Sequence, residues 1–141
     1  MIITGLCQSY LQEMLRGVHR EGDVFAIALY TAAATLSKTT ATYAPQDEVV
    51  GEGYVAGGQI LEGFHIGRDG AVTFLDWKKD PSWPAATITA RGALIYNRTR
   101  GNRSVAVWDF GHDVASTNDV FTVALPPAIA EKALIRIRAA G

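Results

Sequence analysis

Side chains able to do acid–base or metal chemistry are sparse in this sequence and scattered along it. The histidines are His19, His65 and His112, far apart and without a second histidine at a helical metal spacing, so the fold alone would have to assemble a zinc site from them. Asp109 and Asp113 flank His112, and with Ser104 or Ser116 they supply the residue types of a Ser-His-Asp triad. Neither serine sits in a G-x-S-x-G elbow, and the run reads more simply as a polar turn after a strand ending at Phe110. Asp47, Glu48 and Glu52 raise an acid–base pair or a calcium loop. They lack the D-x-D-x-D-G spacing of an EF-hand and are read as a solvated loop face. Gly57-Gly58 and the glycines around them form neither G-x-G-x-x-G nor G-x-x-x-x-G-K, so a phosphate cradle has no support. Cys7 is the only cysteine, which excludes an internal disulfide and a cysteine-based zinc site, and its place on an apolar helix face predicts a buried, inert thiol. No catalytic, metal or cofactor residues are assigned, and the chain is expected to bind or assemble and not to catalyse.

Residues suited to binding are easier to find. Arg98, Arg100 and Arg103 lie close together between two predicted strands, with Arg91 just before them. Guanidinium groups at that density pair with carboxylates or phosphates. An acidic partner surface is preferred to nucleic acid, because no aromatic platform is interleaved with the arginines, and a merely solvated turn stands beside both as the other reading. Trp77 and Trp83 flank the polar loop Lys78 to Ser82, where they could pack against a neighbouring subunit or stack on a sugar ring, while Trp108 sits in mid-strand and reads as core. The sequons at Asn97 and Asn102 have no meaning without a secretory route.

The elements that must carry these groups follow from periodicity. Cys7, Leu11, Met14, Leu15 and Val18 share one stripe of a helix over about 6–19, ended by Gly17 and Gly22. Val24 to Tyr30 is a continuous apolar run, as expected of a strand buried on both faces. The stretch of about 31–48 is rich in Thr, Ala and Ser without either period, and reads as a long loop or arm presenting Thr39 and Tyr43. A glycine-punctuated segment around Tyr54 follows, then a strand from Gln59 to His65 and a hairpin turned by Arg68-Asp69-Gly70 into Ala71 to Trp77. Further strands are predicted over Ala86 to Ala90, Ala93 to Asn97, Ser104 to Phe110, Val120 to Leu125 and Ala133 to Arg138. Short strands at this spacing predict a mainly β single domain over 1–141, a β-sandwich or jelly roll with one N-terminal helix and its core in 23–30 and 49–138.

Composition fits a globular domain: 48% of residues are hydrophobic and 19% charged, enough for a core without disulfides or metal. A net charge of −1 supplies no global field toward nucleic acid or an anionic membrane. No run reaches the roughly 20 apolar residues of a membrane-spanning helix, and the N-terminal stretch has neither the basic region nor the cleavage site of a signal peptide, so synthesis in the cytoplasm and no membrane partner are expected.

Val24 to Leu61 resembles a family of short virion proteins of tailed bacteriophages, found among capsid decoration or cement proteins. The likeness rests on the early helix ending near Gly17 and His19, the strand Ala26-Ile27-Ala28-Leu29-Tyr30-Thr31, the Thr/Ala-rich arm, and the segment from Glu48 to Gly58 with its Gly-x-Gly-Tyr-x-Ala-Gly-Gly pattern. It extends more weakly through Gly70 to Leu75, Ala93 to Asn97, Trp108 to Gly111 and Asp119 to Leu125. The arm departs from the family, where it is usually richer in Asn and Pro than Thr31 to Ala44. The resemblance implies a β-sandwich or jelly roll on the outer surface of a phage head, binding the major capsid protein and itself as a homotrimer, with no catalytic residues to carry over. A carbohydrate-binding module for host attachment, through Trp77, Trp83 and Tyr54, is the alternative, with a small tail or head-completion component as a third.

Overall fold

The structure is a computed structural model and describes residues 1–140. Two compact units emerge: one contains Met1–Ile60 and Trp83–Phe121, the other Leu61–Ser82 together with residues 122–140. Each carries its own antiparallel sheet, so the chain is mainly β with one short helix.

In the first unit the sheet is built from β1 (Gly5–Leu6), β2 (Phe25–Tyr30), β3 (Gln59–Ile60), β6 (Ser82–Asn97) and β7 (Arg103–Thr122), in the order β1-β7-β6-β2-β3. Strand β2 is its heart: every residue from Phe25 to Tyr30 is buried, as the unbroken apolar run predicts. It pairs antiparallel with β6 from Phe25↔Asn97 to Tyr30↔Gly92. Along β6, Ala86, Ile88 and Ala90 are buried between exposed neighbours, the period of two of a half-buried strand, and from Gly92 onward burial becomes continuous. Gly92 is there for lack of space, since a Cβ would lie 2.6 Å from the Trp108 carbonyl oxygen and 2.9 Å from Ile2 Cδ1.

The second unit holds β4 (Phe64–Asp69), β5 (Val72–Trp77) and β8 (Ile135–Arg138), in the order β4-β5-β8. The predicted hairpin is present, with Asp69 opposite Val72 and Gly70 at φ 58° in the turn. Its core contains Trp77, whose ring meets Phe64 edge-on at 6.0 Å, and Asp76, whose carboxylate accepts hydrogen bonds from the backbone N–H groups of Trp77 (2.8 Å) and Leu134 (3.0 Å).

Several boundaries differ from expectation, each for a local reason. The helix α1 spans only Gln8–Leu15, because Gly5–Leu6 is claimed by pairing with β7 and Gly17, at φ 72°, ends the helix just past its last turn. Its buried stripe is also rotated: Tyr10 is buried and Met14 half-buried, whereas Leu11 is 42% and Leu15 89% exposed. The predicted strand over Gln59 to His65 divides into β3 and β4, which belong to different sheets. Ala86 to Ala90 and Ala93 to Asn97 are one strand, and the final strand starts at Ile135. The chain does not leave the sheet after Phe110: β7 continues through His112, Gly111 taking φ 85° with its N–H donating to Asp109 Oδ1 at 2.9 Å, while Asp109 and Asp113 lie beside Arg91. Trp108, expected in the core, is half-buried.

Candidate functional site

The 31–48 stretch is docked along its length. Ile3 N–H donates to the Leu36 carbonyl at 2.9 Å and Leu36 N–H to that of Met1 at 3.1 Å; further on, Ser104 N–H bonds Ala41 and Tyr43 N–H bonds Asn102. Thr39 lies exposed at its bend, its hydroxyl 2.9 Å from that of Ser37.

Where this stretch ends, the loop from Glu48 to Gly58 is held from within by one carboxylate. Glu48 is 7% exposed and not on a solvated face as expected. Its Oε1 accepts from the Tyr43 hydroxyl at 2.6 Å, and its Oε2 accepts from the Tyr54 hydroxyl at 2.5 Å and from Gly57 N–H at 2.8 Å. Tyr54 Oη in turn accepts from Leu29 N–H at 2.9 Å, which ties the loop to β2. Burial, followed by the adjoining Glu48 carboxylate, pushes the Tyr43 and Tyr54 hydroxyls up, so both remain donors throughout the physiological range. Two more bonds hold the Gly57 carbonyl, from the Tyr96 hydroxyl at 2.6 Å and from Arg98 Nη2 at 3.1 Å, while Tyr43 stacks on Tyr96 at 4.7 Å. Gly58 must be glycine twice over: its φ is 77°, and a Cβ would lie 1.8 Å from the Ile27 carbonyl oxygen.

Pinned in this way, the loop turns its apolar residues outward. Val50 is 94% and Val55 76% exposed, beside the buried Val49 and Tyr54. A rigid loop tipped with valines is suited to contact with another protein surface, since it adds apolar area with little conformational entropy left to lose.

The arginines expected as one cluster are engaged inside the chain at separate places, Arg98 on the Gly57 carbonyl and the others on carboxylates. Arg100 grips Asp23 with two bonds, Nε to Oδ2 at 3.0 Å and Nη2 to Oδ1 at 2.9 Å. Arg103 Nη1 reaches Glu13 Oε2 at 2.7 Å, and Arg91 lies 3.4 Å from Asp109. The Arg100 bonds hold the Asp23 carboxyl down at about 2. At Glu13 burial acts upward, and the bonds from His19 and Arg103 more than reverse it, leaving the carboxyl below its usual range. An open groove of about 480 Å³ lies here, lined by Glu13, Val18, Thr42, Arg100 and Arg103 among others.

His19, left unassigned by sequence, sits within this cluster with its side chain 3% exposed. Nε2 lies 2.8 Å from Glu13 Oε1 and Nδ1 lies 3.0 Å from Asn97 Nδ2, so neither ring nitrogen is open to a substrate. Of the other histidines, His65 belongs to the second unit and His112 lies on the exposed part of β7. Among the described residues no group of three or more His, Cys, Asp or Glu side chains is placed to hold a metal ion. No described helix is long and apolar enough to cross a membrane.

Of the residues expected to meet partners, Tyr43, Tyr54 and Arg98 come together around Glu48 and Gly57, Arg100 and Arg103 join the His19 cluster, and Thr39 stands apart on the surface. Trp77 and Trp83 are only 2% and 3% exposed, so neither offers a face for a sugar or a neighbour; Trp83 is covered by Tyr54 and Phe121. Sequence reading took Glu48 for part of a solvated loop face and missed the roles of Asn97 and Asp23. The available signal for Asn97 was a polar residue closing the apolar run Ala93-Leu94-Ile95-Tyr96. Comparison with family models, with curated proteins and with solved structures found no match to this chain.

Proposed function

We propose that this chain is a non-enzymatic virion structural protein, a decoration or cement protein that binds the major capsid protein on the outer surface of a phage head. The observation that carries the reading is the Glu48–Gly58 loop, fixed internally by Glu48, Tyr54 and Gly57 and presenting Val50 and Val55 to the outside. It coincides with the most distinctive part of the resemblance to phage capsid proteins. Homotrimeric assembly and a β-sandwich or jelly-roll arrangement belong to the same proposal, the latter supported by the two antiparallel sheets.

The carbohydrate-binding alternative loses its chief support with the burial of Trp77 and Trp83. A tail or head-completion role would use the same surface loop, and location separates the two. Removing the protein from particles should lower their resistance to heat and osmotic shock, and adding it back should restore it. The double variant Val50→Asp, Val55→Asp should fold yet fail to restore resistance. Full restoration by that variant would show that the loop is not the contact.

A further inference from the structure

We propose that His19 is a proton-sensitive latch on the turn joining β6 to β7. The inference is independent of the capsid reading and starts from Asn97, which is wholly buried. Its Oδ1 accepts from the backbone N–H groups of Thr99 (3.1 Å) and Arg100 (3.3 Å), and this fixes which way the amide faces. Nδ2 then points the other way, donating to Asp23 Oδ2 at 2.9 Å and facing His19 Nδ1 at 3.0 Å. An amide NH₂ has only hydrogens to offer, so Nδ1 is the acceptor and carries no proton. The ring proton is on Nε2, where it is donated to Glu13. One tautomer of neutral His19 therefore satisfies helix α1, Asn97 and the turn together.

A second proton can go only to Nδ1, where it meets the hydrogens of Asn97. Rotating the Asn97 amide by half a turn relieves that conflict by presenting Oδ1 to the imidazolium. The rotation takes the acceptor away from Thr99 and Arg100 N–H and the donor away from Asp23. Charging His19 thus unties the turn that carries Arg98 and Arg100 and leads into Arg103 at the start of β7.

The groups around the ring permit this. From α1 come Tyr10, with its ring centroid 4.8 Å away and its hydroxyl pushed by burial up to about 12, and the carboxylate of Glu13. Asp23 precedes β2, whose Phe25 ring stacks at 6.2 Å; Arg100 neutralises Asp23, and Arg103, from β7, neutralises Glu13. Glu13 and Asp23 keep their charge in mild acid, each beside its arginine, so the hydrogen-bond partner that a second proton on Nδ1 would meet is the amide of Asn97.

The test is two-dimensional NMR of the full chain between pH 8 and 5, following the His19 ring nitrogens and the amides of Thr99 and Arg100. The expected result is an Nε2–H tautomer at the alkaline end, with both amides shifting at the same midpoint as the ring and losing roughly three- to tenfold of their exchange protection, the loss of about one hydrogen bond each. In His19→Gln, whose amide offers one donor and one acceptor but does not titrate, the two resonances should stay still. An Nδ1–H tautomer, or turn amides that ignore the titration of the ring, would overturn the proposal. Both are read in the unaltered chain, so they decide the matter even if the variant fails to fold.

Discussion

Glu48 and Tyr54 divide between them the work of holding a surface loop, and the balance of donors and acceptors sets the cost of disturbing either. Tyr54→Phe removes the donor to Glu48 and leaves Leu29 N–H buried without its acceptor. The expected loss is about 1–3 kcal/mol in urea unfolding. A loss below about 0.5 kcal/mol, the range of ordinary surface substitutions, would mean that the phenol is not holding the loop. Asp23 gives a pH dependence of definite sign. Its carboxyl is lower in the folded chain than in the unfolded one, so its contribution is complete above the ordinary carboxylate range and disappears as pH falls through about 2. Asp23→Asn should therefore be less stable than the parent at pH 6, and the gap should close between pH ~4 and ~2. A gap that persists unchanged at the acid end would remove the Arg100 ion pair as its source.

At the scale of elements, glycines distinguish a loop that is packed from a turn that is merely bent. Gly58→Ala drives a Cβ into the Ile27 carbonyl at a positive φ and should destabilise by about 3 kcal/mol or more. Gly70→Ala meets nothing within 4 Å and should cost only about 1 kcal/mol, from backbone strain alone. Equal effects in thermal unfolding would contradict the packing described for β2 and the loop. The helix offers a parallel pair: Leu15→Ser, at an exposed site, should change stability by less than about 0.5 kcal/mol, and Tyr10→Ala should cost about 3 kcal/mol or more. Apolar periodicity selected Leu11 and Leu15 because it weighs only aliphatic residues. The face that packs is defined instead by Tyr10, Met14 and the paired Glu13, an aromatic and a charge that such a pattern leaves out. Strand β2 and the Asp69-Gly70 hairpin were legible because each depends only on local sequence. The length of β7 was not, because its polar half from Gly111 to Asp119 is extended through pairing with β6, a distant constraint.

Across the whole molecule, charges and polar groups that looked available in the sequence are largely consumed by the fold. Arg100 and Arg103 hold Asp23 and Glu13, the His19 nitrogens face Glu13 and Asn97, and the Glu48 oxygens are occupied by Tyr43, Tyr54 and Gly57. Pairings across such separations, 90 residues between Glu13 and Arg103, cannot be read from spacing. Outward function then falls to the surface that remains, and the valine-tipped loop is its most defined part. Cryo-electron microscopy of whole particles tests that account most directly. It predicts this chain in many copies over the outer capsid lattice, with Val50 and Val55 against the major capsid protein; its absence from the head, or confinement to a few copies at the tail, would contradict it.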